Sequence, residues 1–233
     1  MKEYKLCDSM EEMKKFENKS VDLLFTSPPD MSQTPFEEKK DVESFVKFQN
    51  VFLKEFSRLV KDDGFIVISQ TDRMANGFIV TNHVNYINNL TDLGLKVKDE
   101  KVVFRNEFGK KDMYHFTYQY LTVFTRTGTF KRHGEYLKDG LIDKQLKCPP
   151  KSSQYCWSYD FCKLIIETFT EENDFVMDPF AATGMVPFVA GKLNRRYWAA
   201  EIDEKMYNEN FNYFKNLNFD YDPFDDFLYG VKK

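Results

Sequence analysis

The chain has 233 residues, of which 42 % are hydrophobic and 30 % charged, a composition typical of one globular domain with a sizeable core. The formal net charge of −4 argues against a chain that is basic throughout, as many nucleic-acid-binding proteins are. No run approaches the roughly 18 apolar residues that span a bilayer, and no apolar segment follows the N-terminal M-K-E-Y-K, so we expect a soluble, cytoplasmic protein without membrane contacts.

Apolar runs alternate with helical patterns along most of the chain. Strands are predicted at residues 3–7, 21–27, 64–70, 101–105, 119–125, 174–179 and 197–202. Helices are predicted at 9–17, 41–60, 79–93, 156–170, 183–194 and 204–217. The first helix should begin with a capping box of Ser9 and Glu12, and Gly64 should turn the chain out of the second. This order predicts an α/β fold, with a mostly parallel twisted sheet and helices on both faces.

The segment at about 126–155 interrupts the alternation and is predicted to be a small insertion on a single domain of residues 1–233. Its surplus of lysine and arginine contrasts with the acidic tail at 220–233. The segment 96–111 is basic as well. The middle of the chain therefore either presents a basic face to nucleic acid or carries an ordinary solvated surface, and charge alone favours the second interpretation.

The cysteines give no sign of a metal or disulfide framework. They are Cys7, Cys148, Cys156 and Cys162; they form no CxxC pair, and the chain has only three histidines. We therefore predict reduced thiols, as in an intracellular protein, and no metal site.

The strand at 174–179 ends in a sequence that suits a nucleotide-like cofactor. It delivers Asp178 to a turn of small residues, Ala181 to Gly184, at which a helix begins. The following strand ends in Glu201, about 20 residues later, where an acid can accept ribose hydroxyls. A generic strand-turn-helix-strand with an acid at its end is the alternative.

The strand at 21–27 ends in T-S-P-P-D, in which neither proline can donate a backbone hydrogen bond to a sheet. Together, this turn and the later D-P-F-A-A-T-G resemble motifs of the amino-methylating DNA methyltransferases, which modify cytosine N4 or adenine N6. The early T-S-P-P and late D-P-F resemble the circularly permuted β group. The resemblance implies a Rossmann-like, S-adenosylmethionine-dependent methyltransferase fold and a DNA duplex from which the target base is extruded.

The resemblance also implies cofactor contacts. They would involve Asp8, Trp157, Asp178, Phe180, Ala181, Ala182, Thr183, Gly184, Glu201 and Ile202. Two of these residues have equally simple structural explanations. Trp157, in the place of an aromatic that packs on the adenine, is also suited to the core. Asp8, in the place of an acid near the adenine amino group, also suits the start of the helix at 9–17.

The T-S-P-P-D turn is expected to hold the catalytic residues Ser27, Pro28, Pro29 and Asp30. An exocyclic amine is a poor nucleophile, and hydrogen bonds accepted by Ser27 Oγ and the Pro28 carbonyl would hold it toward the methyl donor. The prolines fix φ, so that the carbonyl points into the pocket. Within the resemblance, Ser27 favours cytosine N4, whereas aspartate there is usual for adenine N6. Methylation at cytosine C5 is not expected, because Cys148 precedes rather than follows its prolines.

Two positions depart from the family's pattern. Asp30 replaces the aromatic that stacks on the extruded base, and Ala182 replaces the first glycine of the D-P-F-x-G-x-G turn. Phe36 could supply another stacking surface. These departures motivate an alternative, a catalytically silent methyltransferase fold that binds DNA or a partner chain. Contacts to DNA would fall to the insertion, at Arg126, Lys131, Arg132 and His133, and its small size makes a homodimer or partner subunit one alternative.

Overall fold

The computed structural model of the chain describes residues 1–31, 41–105, 117–127, 137–143 and 156–215. Its strands are β1 Lys2–Leu6, β2 Val21–Thr26, β3 Val60–Gln70, β4 Arg73–Ala75, β5 Phe78–Val80, β6 Lys96–Arg105, β7 Tyr118–Thr125, β8 Gly140–Asp143, β9 Phe175–Asp178 and β10 Arg196–Glu201. Its helices are α1 Ser9–Met13, α2 Val42–Leu59, α3 Asn82–Asp92, α4 Tyr159–Phe169, α5 Met185–Lys192 and α6 Glu204–Lys215. Each predicted strand and helix has a counterpart among them.

In these ranges, eight strands form one sheet in the order β1-β10-β9-β2-β3-β7-β6-β8. The neighbouring pairs from β1 to β3 are all parallel, whereas β7 runs antiparallel to both β3 and β6. The predicted α/β fold with a mostly parallel sheet is confirmed. No helix within the described ranges combines the length and apolar character that a membrane crossing needs.

Hydrophobic residues form a buried cluster on each face of the sheet. Ile165 of α4 and Val189 of α5 belong to one cluster, and side chains of α2 and α3 belong to the other. Successive residues of β2 alternate between them, so that Leu23 packs in the first cluster and Leu24 in the second. A strand buried on both faces needs an apolar run, which is why the sequence pattern identified it.

Two expectations about helix ends are wrong. Asp8 rather than Ser9 caps α1, because the Asp8 carboxylate accepts a hydrogen bond from the backbone N–H of Met10 at 2.8 Å. Gly64 does not turn the chain, but lies inside β3, which follows α2 directly. A Cβ atom at Gly64 would lie 2.8 Å from the carbonyl oxygen of Asp22. Glycine therefore permits the close approach of β3 to β2.

Two stretches contain strands that the sequence pattern did not predict. β4 and β5 form a small antiparallel hairpin, so that α3 begins only at Asn82. β8 lies in the predicted insertion at about 126–155 and pairs with β6 at the edge of the main sheet. Its last residue, Asp143, is buried and accepts a hydrogen bond from the backbone N–H of Ser158 at 3.0 Å. The recognition role of this segment stays a prediction, and the tail at 220–233 lies outside the described residues.

The cysteines differ from one another in redox state. Cys7 and Cys162 carry free thiols, whereas Cys156 is disulfide-bonded. The prediction of four reduced thiols is therefore wrong at Cys156. The spacing of the cysteines along the sequence does not predict this disulfide, because a disulfide requires only that two Cα atoms come within about 7 Å in space.

Candidate active site

The two distinctive strand ends of the sequence meet in the structure. β2 and β9 are parallel neighbours, with Leu23 opposite Val176. Their carboxyl ends lie side by side, at the edge where open α/β sheets bind ligands. Thr26 Oγ1 donates a hydrogen bond to Asp178 Oδ1 at 2.7 Å and joins the two ends directly.

A pocket of about 200 Å³ opens at this edge of the sheet. It is lined by the predicted site residues Ser27, Pro28, Asp30, Trp157, Asp178, Phe180, Ala181, Ala182 and Thr183. The pocket also has polar walls for which the sequence assigned no role, among them Gln70, Arg73 and Gln119. The structure therefore brings most of the predicted catalytic and cofactor residues together. The others do not line the pocket; they are Asp8, Pro29, Gly184, Glu201 and Ile202.

The carbonyl group of Pro28 has a hydrogen-bond donor of its own within the protein. Gln70, the last residue of β3, donates from its side-chain amide to the Pro28 oxygen at 2.5 Å. The other end of the same amide accepts a hydrogen bond from the backbone N–H of Thr71 at 2.9 Å. Gln70 therefore fixes the direction of the Pro28 carbonyl, and the second lone pair of that oxygen remains for another donor.

Asp30 forms an ion pair with Arg73, which begins β4. Asp30 is only 5 % exposed, whereas about half of the Arg73 side chain is exposed. Both residues line the pocket. The acid at this position is thus built into the pocket wall, and a guanidinium plane lies beside it.

The carboxyl group of Asp178 is buried beneath the pocket. Burial raises its pKa to about 7, and the negative charge of Glu201 acts in the same direction. Hydrogen bonds from Thr26 Oγ1 and from the backbone N–H of Phe180 act against this rise. A positively charged ligand would stabilise the ionised form that burial disfavours.

The turn after β9 adopts a left-handed backbone at two residues. Ala182 has a φ of 46° and Gly184 a φ of 78°. For alanine this conformation costs on the order of 1 kcal/mol. The hydroxyl of Tyr4 donates to the Ala182 carbonyl at 2.8 Å and holds the turn against β1. Ala182 thus adopts a conformation that a glycine would adopt without this cost.

Glu201 lies at the end of β10, next to this turn. Burial raises the pKa of its carboxyl group, while the backbone N–H groups of Asp203, Ile202 and Ala182 donate to it and lower the pKa. The contact from Asp203 measures 2.7 Å. Ile202 itself is 71 % exposed. Glu201 thus ties the turn to β10, and a ribose would have to share its oxygens with these amides.

Trp157 and Asp8 both have the structural role that the sequence allowed, and their contacts with a cofactor stay predictions. Trp157 stacks on Phe25, with ring centroids 4.7 Å apart and planes 2° from parallel, and it also lines the pocket. It is thus a core residue and a wall of the site. Asp8 is exposed and caps α1.

Among the described residues, no three His, Cys, Asp or Glu side chains lie close enough together to hold a metal ion. The expectation of a metal-free site stays a prediction.

Comparison with known proteins decides the family. A family model for DNA methylases, N6_N4_Mtase, matches residues 21–154 and 132–212. The chain belongs to this family. The type II methyltransferase M.BglII of Bacillus subtilis is 24 % identical over an alignment of 238 positions, which covers 85 % of this chain and 64 % of that protein. The chain thus spans less than two thirds of that relative's length.

Three solved structures share the fold of this DNA methylase family member. PvuII DNA methyltransferase, described as cytosine-N4-specific, has a TM-score of 0.78 at 16 % identity, covering 98 % of this chain and 93 % of that one. TTHA0409 from Thermus thermophilus, complexed with S-adenosyl-L-methionine, has a TM-score of 0.73 at 18 % identity, covering 92 % of this chain and 93 % of that one. The M1.HpyAVI–SAM complex has a TM-score of 0.65 at 20 % identity, covering 91 % of this chain and 100 % of that one. The predicted family and methyltransferase fold are confirmed.

Arg126, one of the predicted DNA contacts, lies away from the pocket. Arg126 follows β7, whose carboxyl end lies at the opposite edge of the sheet from the pocket, because β7 is antiparallel to β3. Its guanidinium donates to the carbonyl oxygen of Ser57 at 2.6 Å and to Ser57 Oγ at 2.8 Å. Arg126 thus secures the end of α2, and its role in binding DNA stays a prediction. Lys131, Arg132, His133 and Phe36 lie outside the described residues.

Sequence reasoning missed Gln70, Arg73 and Gln119. Each is a polar residue in or beside a strand that is otherwise apolar, and this was the available signal. The signal was not specific, because polar residues at strand ends usually face solvent. The order of β9, β2, β3 and β7 in the sheet brings Gln70 and Gln119 to one pocket, and Arg73 reaches it from β4.

Proposed function

We propose that the chain is an S-adenosylmethionine-dependent DNA methyltransferase that modifies an exocyclic amino group, with cytosine N4 favoured over adenine N6. The observation that carries the proposal is the joining of two strand ends. The Thr26–Asp178 hydrogen bond joins these ends, and the serine-proline turn and the small-residue turn line one pocket. A methyl donor and an acceptor amine can meet only where two such sites are adjacent.

The cofactor end of the pocket has the chemistry to bind a cationic ligand. The buried carboxyl of Asp178, with its raised pKa, would gain from a neighbouring positive charge. The turn from Phe180 to Thr183 and the face of Trp157 would hold the cofactor, with Glu201 at its ribose. When bound, S-adenosylmethionine supplies a methyl group on a positively charged sulfur, which a nitrogen nucleophile can take without a covalent enzyme intermediate.

The acceptor end of the pocket has two oxygens for an amine. Ser27 Oγ and the carbonyl oxygen of Pro28 can each accept a hydrogen bond from one N–H of an exocyclic amino group. Gln70 occupies only one lone pair of the Pro28 oxygen. Two accepted hydrogen bonds draw the amine nitrogen toward tetrahedral geometry and orient its lone pair. Positioning of this kind contributes a large part of the rate in bimolecular group transfer.

The choice between cytosine and adenine rests on weaker support. Serine rather than aspartate at position 27 favours cytosine within the family's pattern, and the similar PvuII enzyme is described as cytosine-N4-specific. Adenine N6 is the alternative acceptor. Asp30 also gives less support to a silent fold than the sequence suggested, because it is paired with Arg73 in the pocket wall.

The proposal is tested with unmethylated plasmid DNA and methyl-labelled S-adenosylmethionine. The DNA is digested to nucleosides after incubation, and the labelled nucleoside is identified by mass spectrometry. We expect label in N4-methylcytosine, whereas label in N6-methyladenine would support the alternative acceptor. Cofactor binding measured by calorimetry without any label in DNA would instead establish the silent binding protein.

A matched pair of serine variants locates the chemistry. Ser27→Ala should reduce transfer strongly while leaving cofactor affinity nearly unchanged, because it removes one acceptor for the amine. Ser20→Ala removes a hydroxyl just before the same strand, where Ser20 donates to the Glu17 carbonyl at 2.8 Å. This control should transfer methyl groups at the wild-type rate. Equal loss in both variants would contradict the role assigned to Ser27.

A further inference from the structure

Gln119 has a buried amide nitrogen to which no residue in the described part of the chain offers an acceptor. The residue is 4 % exposed, and its Nε2 atom has no hydrogen-bond partner in the described structure. Its side chain lines the pocket described above. A buried donor without a partner is unfavourable for folding. A ligand that enters the pocket and accepts from this nitrogen would explain why glutamine is present.

Gln119 lies at the same edge of the sheet as the Ser27-Pro28 turn, and all three residues line the pocket. β7 is antiparallel to β3, so the start of β7 lies at the same edge of the sheet as the end of β3. Gln70 is paired with Tyr120, the residue that follows Gln119, and the Gln70 side chain contacts the Pro28 carbonyl. The pocket thus combines two acceptors, at Ser27 and Pro28, with a donor on β7, which is separated from β2 by β3. Rotation of the terminal torsion, which is broad for glutamine, can turn this donor into the pocket.

Cytosine has the edge that fits this arrangement. Its exocyclic amine is followed around the ring by the N3 nitrogen and the O2 carbonyl, which both accept hydrogen bonds. In adenine the amine is followed by a single acceptor, N1, and then by a carbon-bound hydrogen. A glutamine amide nitrogen carries two N–H groups and can serve both acceptors of cytosine. Enzymes that extrude a base read it through this edge.

We propose that Gln119 is a specificity-determining residue, which donates hydrogen bonds from Nε2 to N3 and O2 of an extruded cytosine. The inference rests on the proposed function and deepens it, because it assigns the base-reading contact to a named side chain. It also separates the two acceptor bases by chemistry: the same donor would have one acceptor to serve in adenine and two in cytosine.

The test compares Gln119→Met with Thr125→Val. Both variants remove a buried, unpaired polar atom from β7, because Thr125 Oγ1 also lacks a partner within the described residues. Thr125 lies at the other end of the strand, away from the pocket. Methionine resembles glutamine in length and shape but cannot donate a hydrogen bond. For each protein we measure the thermal midpoint, the affinity for S-adenosylmethionine, and kcat and KM for transfer to plasmid DNA.

We expect both variants to keep or raise the thermal midpoint and to keep cofactor affinity. Only Gln119→Met should transfer more slowly, by about tenfold or more, as the loss of a hydrogen bond to the reacting base predicts. A third variant, Gln119→Glu, should lose activity as pH rises, because only its protonated carboxyl group can donate. Wild-type transfer should not follow that profile.

Three results would overturn the inference. Gln119→Met could transfer at a rate within about twofold of the wild type, or lose activity only in step with its thermal midpoint or cofactor affinity. If the wild-type protein labels only adenine, as N6-methyladenine, then Gln119 does not donate to N3 and O2 of a cytosine. A different result would contradict the proposed function itself. If the wild-type protein binds the cofactor but labels no base, both the proposed function and this inference are wrong.

Discussion

The side-chain amide of Gln70 donates a hydrogen bond to the carbonyl oxygen of Pro28 across 2.5 Å. This contact ties the end of β3 to the proline turn that ends β2. The turn has no backbone N–H at Pro28 or Pro29 through which a neighbouring strand could hold it. A side chain from the next strand therefore does what sheet pairing cannot do here. It keeps the Pro28 carbonyl directed at the pocket.

Replacing Gln70 by leucine should therefore lower methyl transfer more than cofactor binding. The variant frees the Pro28 carbonyl and leaves the backbone N–H of Thr71 without its acceptor. We expect kcat to fall about tenfold and stability to fall by about 1–2 kcal/mol. Single-turnover kinetics and calorimetry with S-adenosylmethionine separate the two effects. An unchanged kcat would show that the proline turn holds its shape without Gln70.

The Asp30–Arg73 ion pair predicts an asymmetry between its two partners. Asp30 is buried and Arg73 is half-exposed. Removing Arg73 therefore takes this ion pair from a buried carboxylate, whereas removing Asp30 takes it from a guanidinium group that water can solvate. Arg73→Ala should lower the free energy of unfolding by about 1–3 kcal/mol, and Asp30→Asn by less. Denaturant titration of both variants is the measurement. The reverse order would show that Asp30 does not depend on Arg73.

Asp30→Tyr provides a separate test of the missing aromatic. An aromatic at this position would restore the family's stacking surface, but it would also detach Arg73 from the pocket wall. Because the acid is integrated in the wall, we expect Asp30→Tyr to reduce transfer. Activity equal to or above wild type would instead identify Asp30 as a degraded stacking position.

The left-handed backbone of Ala182 predicts a stabilising glycine. At a φ of 46°, Ala182→Gly should raise the free energy of unfolding by about 0.5–1 kcal/mol. The neighbouring Ala181 is buried and has no positive φ, so Ala181→Gly should lower stability by a similar amount. Thermal unfolding of this pair isolates the backbone effect, since both changes remove one methyl group. Two changes of the same sign would contradict it.

The raised pKa of Asp178 predicts a dependence of stability on pH. The folded state holds this proton up to about pH 7, whereas the unfolded carboxyl group releases it near about pH 4. The unfolded state therefore binds fewer protons between these values, and stability falls as pH rises through that window, by about 3 kcal/mol from this group. Asp178→Asn should remove most of that slope between about pH 4.5 and 7.5. An identical slope in both proteins would rule out Asp178 as its source.

Arg126 should matter to stability rather than to DNA. Its hydrogen bonds to Ser57 predict that Arg126→Met lowers the free energy of unfolding by about 1–3 kcal/mol. Lys96→Met serves as a control that removes one exposed positive charge from the same edge of the sheet. Affinity for DNA, measured by fluorescence anisotropy at one salt concentration, should fall equally little in both. A larger fall for Arg126 would restore its predicted contact with DNA.

Local patterns were sufficient for the strands other than β4, β5 and β8, for the helices apart from their ends, and for the two turns that line the pocket. Apolar runs located β2 and β9, because both are buried on their two faces. Gly64 was misread for an equally physical reason. A glycine after a helix usually ends it, but this one is required by the carbonyl of Asp22 on a neighbouring strand, which no local pattern contains.

The amino-acid sequence by itself determined the two turns on which the proposed chemistry depends, because the φ of Pro28 and the small side chains after Asp178 are local properties of the chain. Only the tertiary structure decided which side chains complete the pocket. Gln70 and Gln119 line the pocket because β3 lies beside β2 and β7 lies beside β3 in the sheet. Arg73 joins them from β4, and Thr26 reaches Asp178 across 152 positions of the chain. Strand order is set by the packing of the whole core, whereas motifs are set by neighbours along the chain.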